Sequence, residues 1–174
     1  MCIRDSPSTS AFGRFAARDA AIIAIVALAW WMLVSVSAGE GLVADLVGVV
    51  LGLGFGLCTF LLHEWGHLLG ALATRSRVLP PDRLGSGYLF SFDSQANSRP
   101  QFLVMSFSGF VVTGLAILCA LGPLDEPLLA ARVARGAIAF LASLTVFIEF
   151  PLVIYSLVTS RLPPIEVFEA RTES

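Results

Sequence analysis

The chain has 174 residues, 56% hydrophobic and only 14% charged, with a mean hydropathy of +0.83. This composition excludes an ordinary water-soluble domain and points to one compact polytopic membrane domain. The formal net charge is −2 and every cation is an arginine, none in a basic run, so no nucleic-acid partner is expected. Of the three cysteines, Cys58 and Cys119 fall inside apolar runs and Cys2 lies near the start, which implies no disulfide framework.

Residues 1–6, Met1-Cys2-Ile3-Arg4-Asp5-Ser6, read like a translated sequencing adapter and are set apart from the fold. Residues 7–19 are expected to form an N-terminal cytoplasmic segment. The first apolar run, Ala20 to Ala38, contains Trp30 and Trp31 and is long enough to span a bilayer. After Gly39-Glu40-Gly41, a second run extends from Leu42 to about Ala73 and stops before Arg75 and Arg77. In the polar stretch that follows, the partial alternation of Gly87 to Asp93 predicts a short strand, ended by Asn97, Ser98 and Pro100. A third run covers Phe102 to Leu121, closed by Gly122-Pro123, and a fourth covers about Val133 to Val158, closed by Arg161 and Pro163-Pro164. The expected fold is therefore all-α and integral to the membrane. It has four transmembrane helices, a short cytoplasmic β-strand or hairpin between the second and third, a single membrane domain over residues 20–161 and a cytoplasmic tail over 162–174.

Arginine placement predicts the orientation. Arg14, Arg18, Arg75, Arg77, Arg83, Arg99, Arg161 and Arg171 share one side of a four-span arrangement, and Arg132 and Arg135 fall on the other. Both termini are then cytoplasmic, and a bacterial inner membrane is the expected location. Arg132 and Arg135 oppose the rule and read as interfacial anchors of the fourth helix.

Near the end of the second run stands His63-Glu64-Trp65-Gly66-His67, an HExxH pattern. On a helix, residues four apart share a face, so both imidazoles can grip one metal ion with Glu64 beside them as a general base. Ionisable groups are costly in hydrocarbon and are usually functional there, which raises the weight of the pattern. The chain has only 2 histidines, both in the motif, so a third protein ligand must be a carboxylate or thiolate. Glu149 is the one downstream acid deep within a predicted span. At helical rise, the motif and Glu149 both lie roughly 15–18 Å from the cytoplasmic ends of their helices. Pro151 cannot donate a backbone hydrogen bond and should loosen the helix there. The competing readings of Glu149 are a protonated carboxylate, a partner of Arg132 or Arg135, and a proton site in a small transporter. Trp65 is expected only to pack, and Cys58 and Cys119 to act as small hydrophobes.

Gly52, Gly56, Thr59, His63, Gly66 and Gly70 recur at steps of three or four and draw one small-residue face along the second helix. Such a face admits a close neighbour. The third run, with Ser106, Ser108, Gly109, Thr113 and Gly114, is its expected partner.

These features together resemble the site-2 protease family of intramembrane zinc metalloproteases. The resemblance rests on HEWGH at the end of a membrane helix, a strand-forming link, and Phe107-Ser108-Gly109-Phe110 opening the next helix. It extends over about Leu42 to Pro164, with only the HExxH being specific. It implies zinc held by His63 and His67, Glu64 as catalytic base, and hydrolysis of a membrane-anchored protein substrate within the lipid bilayer. An exposed strand near Tyr88 to Phe92 could hold that substrate by edge pairing. The family's third ligand is an Asp in a Leu-Asp-Gly element, which is missing here; Glu149 stands at a similar separation as a substitute. The family's Gly-Pro element, matched by Phe107-Ser108-Gly109-Phe110, has also lost its proline. These departures keep open a second expectation, a non-proteolytic metal-binding or pseudoprotease scaffold.

Overall fold

The computed structural model describes residues 10–122, 124 and 128–163. The expectations for residues 1–6 and for the tail beyond 163 lie outside these. Helix α1 spans Ser10–Leu33, followed by a single 3-10 turn at Val36–Ala38, and α2 spans Leu42–Ala73. Strands β1, Val78–Leu79, and β2, Ser91–Phe92, precede α3 at Arg99–Leu121. The last rod is α4, Leu129–Leu144, a π-helical turn at Thr145–Glu149, and α5, Phe150–Thr159. Four helices are long and apolar enough to cross a membrane: Phe12–Leu33, Leu42–Ala73, Arg99–Leu121 and Leu129–Thr159.

Helix α1 begins well before the apolar run. Residues 10–19 continue its helix, and Phe12 and Phe15 are buried. It also ends sooner, at Leu33 rather than Ala38. Helix α2 starts at the expected residue because Gly41, at φ 101°, turns the chain through a region closed to most side chains. Its end is a paired C-terminal motif: Arg75 N–H donates to Leu72 O at 2.9 Å and Ser76 N–H to Ala71 O at 2.8 Å. This requires a left-handed residue, and Arg75 takes it at φ 54°.

Helix α3 starts at Arg99, three residues before the apolar run, because Ser98 caps it and its N–H donates to Gln101 Oε1 at 2.7 Å. The single strand expected over Gly87 to Asp93 is shorter and paired: β2 runs antiparallel to β1, with Val78 opposite Phe92 and Leu79 opposite Ser91. Residues before Ser91 leave the extended form because Ser86 makes a turn, taking Tyr88 N–H on its hydroxyl, and Leu89 dives into the core. Asn97 prolongs the pairing with its side chain. Its Oδ1 accepts Arg77 N–H at 2.6 Å and its amide donates to Arg77 O at 2.7 Å.

Phe12 and Phe15 of α1, Leu68 and Ala71 of α2, Val78, Leu89, Phe102 and Met105 of α3, and Val153 of α5 form one buried cluster. All the long helices and the β link thus meet at the end of α2 that carries the HExxH. The small-residue face of α2 has two partners rather than one. An added Cβ at Gly52 would stand 2.5 Å from Val133 Cβ, and one at Gly56 would strike Ala137, both on α4. At Gly66 it would meet Val112 Cγ2 at 2.8 Å on α3. The outward faces carry exposed Ile25, Trp31, Val50, Leu118, Phe147 and Val158.

Candidate metal centre

Helix α2 presents His63 and His67 one turn apart, with ring centroids 4.4 Å apart and planes nearly perpendicular at 85°. Helix α3 passes so close that its backbone serves the imidazoles. Gly66 permits this approach, and so does Gly109, where any Cβ would strike the His67 ring. His63 Nδ1 lies 3.1 Å from Gly109 O and 2.8 Å from Thr113 Oγ1, and His67 Nδ1 lies 3.0 Å from Met105 O. A carbonyl only accepts, so these partners assign a hydrogen to each Nδ1 and leave each Nε2 with its lone pair.

The carboxylate arrives from the last rod. Pro151 has no N–H, and the helix absorbs the missing bond as a π turn in which Phe150 N–H reaches Thr145 O. Glu149 ends this turn and faces α2. Its Oε1 lies 3.0 Å from His63 Nε2 and its Oε2 3.3 Å from His67 Nε2. Arg132 and Arg135, the alternative partners, stand about 20 Å or more back along the same rod at helical rise. The structure thus brings His63, His67 and Glu149 together, their ligand atoms all within 4.8 Å of one another.

This donor set fits a cation. The two Nε2 atoms are 3.0 Å apart, yet both are acceptors in the assigned tautomers. Two nitrogens about 2.0–2.1 Å from a tetrahedral ion would stand about 3.3 Å apart, close to what is seen. Glu149 Oε2 is buried and receives no hydrogen bond, an orphan acceptor that a cation would satisfy.

Glu64, outside the ligand set, lines a cavity of about 270 Å³ beside the cluster, together with His67, Tyr88, Phe90, Phe92 and Glu149. The backbone amide of Leu89 approaches its carboxylate. The segment that carries β2 therefore forms one wall of the cavity, directly beside the motif. Cys58 and Cys119 are partly buried free thiols and belong to no group of metal-ligating side chains found among the described residues.

Trp65 does more than pack. Its indole N–H donates to Asp19 Oδ2 at 2.9 Å, and Asp19 is only 1% exposed. Arg18 Nε donates to Asp19 Oδ1 at 2.6 Å, while its Nη1 meets the carbonyls of Leu84 and Ser86. The buried carboxylate ties α1, the motif helix and the wall segment into one unit. An acid at the mouth of an apolar run was the available signal, with Arg18 beside it as a local partner. Nothing in the spacing named Trp65, which lies 46 positions away.

Compared with protein-family models, curated proteins and solved structures, the chain shows no match.

Proposed function

We propose that this chain is a membrane-embedded zinc metalloendopeptidase of the site-2 protease kind, hydrolysing a peptide bond in or near a transmembrane segment of a membrane-anchored protein. The observation that carries this reading is the convergence of His63, His67 and Glu149 within 4.8 Å, beside a cavity that Glu64 lines. Placement in a bilayer is supported by the outward faces. Only 6% of the apolar window of α1 is buried, an apolar surface too extensive for a protein in water. The arginine asymmetry supports cytoplasmic termini.

When bound, a divalent ion supplies Lewis acidity toward a carbonyl and makes water acidic enough to ionise near neutral pH. The chain's own groups supply the rest. Glu64, outside the ligand set, accepts the proton of the attacking water and passes it to the leaving amine. The Nδ1 partners on α3 hold both rings in the ligand tautomer. A helical substrate must unwind to expose its scissile bond, and β2, with Phe90 and Phe92 at the cavity, offers an edge for extended backbone. Two imidazoles and a carboxylate suit zinc, and also iron or cobalt, so metal analysis of the purified protein names the ion.

The test is Glu64→Gln in proteoliposomes containing a single-span substrate. Metal content stays at the wild-type level and cleavage is lost. The rival reading, a metal-binding or pseudoprotease scaffold, draws on the lost proline of the family's Gly-Pro element and on the missing Leu-Asp-Gly element. It requires a metal-loaded wild type that cleaves nothing, and that result would sink the peptidase.

A further inference from the structure

We infer that the cavity beside Glu64 is a specificity pocket, and that it selects a large uncharged apolar side chain, an aromatic one above all, in a substrate residue flanking the scissile bond. The inference deepens the peptidase reading above and rests on it. The cavity measures about 270 Å³. An apolar cavity of roughly 150 Å³ already holds a benzene ring. A phenyl group with its connecting chain therefore fits, and a methyl group would leave much of the space unfilled.

The lining divides by chemistry. Glu64, His67 and Glu149 belong to the site, while Phe90, Phe92, Phe102, Met105 and Leu152 supply the apolar wall. Phe102 and Met105 are buried, whereas Tyr88 is 70% exposed, so the cavity runs inward from Tyr88 to an apolar floor. Phe92 and Phe102 already meet edge to face with centroids 6.1 Å apart, a corner against which a third ring packs well. The two carboxylates decide what is refused. An acidic side chain is repelled as it loses its water, and a basic one pairs with Glu64 and occupies the base. Phe90 and Phe92, two residues apart, both line the cavity, as alternation in an extended segment dictates. Substrate backbone paired along β2 presents alternate side chains to that same face and delivers one of them into the cavity.

The experiment places the full zinc-loaded chain in proteoliposomes with a single-span substrate. The two residues on either side of the scissile bond are varied one at a time through Ala, Leu, Phe, Trp, Asp and Lys, and kcat/KM is read for each. At one position Phe exceeds Ala by at least about 10-fold, the scale of discrimination in an apolar pocket, and Asp and Lys fall below Ala. Leu152 lies one turn beyond Glu149, and Leu152→Trp fills the cavity. In that variant the Phe-to-Ala ratio at this position falls to about one or lower while zinc content matches wild type. Phe90→Ala enlarges the cavity and raises the Trp-to-Phe ratio at the same position. If wild type cleaves the Phe and Ala substrates within about twofold at all four positions, or if neither variant changes the order of preference, the pocket is overturned and the peptidase stands. If zinc-loaded wild type cleaves no substrate of the series, both readings fall. Should Leu152→Trp not fold, Phe90→Ala carries the test by itself.

Discussion

Helix α2 carries one stripe of small residues, yet its two halves do different work. Gly48, Gly52 and Gly56 lie against α4, where an added Cβ would meet Leu129, Val133 and Ala137. What faces them is mostly hydrocarbon, and the groove beside them is lined by Leu53, Leu57, Phe60, Phe140 and Leu144. Gly66 and Gly70 lie against α3, where the nearest groups include Ser108 O, Ser108 Oγ and Val104 O. The same device, removal of a Cβ, brings side chains together in one half and brings backbone oxygens within reach of imidazoles in the other. Close packing becomes a site when the approached surface offers acceptors to a residue able to use them.

One chemical change made at each of the two contacts, on α3 against the site half and on α2 in the packing half, gives the sharpest contrast. Gly109→Ala places a methyl on the His67 ring and should weaken zinc binding by more than about 100-fold, beyond what losing a supporting partner costs. Gly52→Ala presses on Val133 and Ala130 O of α4 and should cost about 1–3 kcal/mol of stability, with zinc affinity unchanged. Equal losses of affinity in the two variants, read by chelator competition, would erase the distinction between the halves.

A smaller effect isolates the polar tie of the site half. Trp65→Phe removes one of the two donors that reach the buried Asp19 among the described residues and should destabilise by about 1–3 kcal/mol in a denaturant titration. Because the tie joins α1 to the wall segment, the loss should appear as faster amide exchange at residues 84–90 before it appears anywhere in α4. Smallest, and of opposite sign, Arg75→Gly relieves the left-handed end of α2 and should stabilise by about 0.5–1 kcal/mol. A loss of stability there would mean that the Arg75 side chain contributes more than its backbone strain costs.

Composition and local pattern carried much of this architecture. Hydropathy set the four long helices, because an unbroken run of about 20 apolar residues leaves a signal that needs no partner to be read. The HExxH fell on α2 with both rings on one face, since helical periodicity is local. The count of two histidines confined the remaining ligand to other residue types. Helix ends were less legible: α1 and α3 begin earlier than their apolar runs because Phe12, Phe15 and the Ser98 cap are set by packing and hydrogen bonding.

The meeting of distant groups belonged to the tertiary structure alone. Glu149 lies 86 positions from His63, and depth could bring the two to one level but could not turn the carboxylate toward the rings. The π turn before Pro151 does that. The division of the α2 stripe between two neighbours, the oxygens behind each imidazole and the Trp65 bond to Asp19 likewise depend on which surfaces come into contact. A motif in one helix specifies which atoms can bind; the helices packed around it decide which lone pairs are free and where they point.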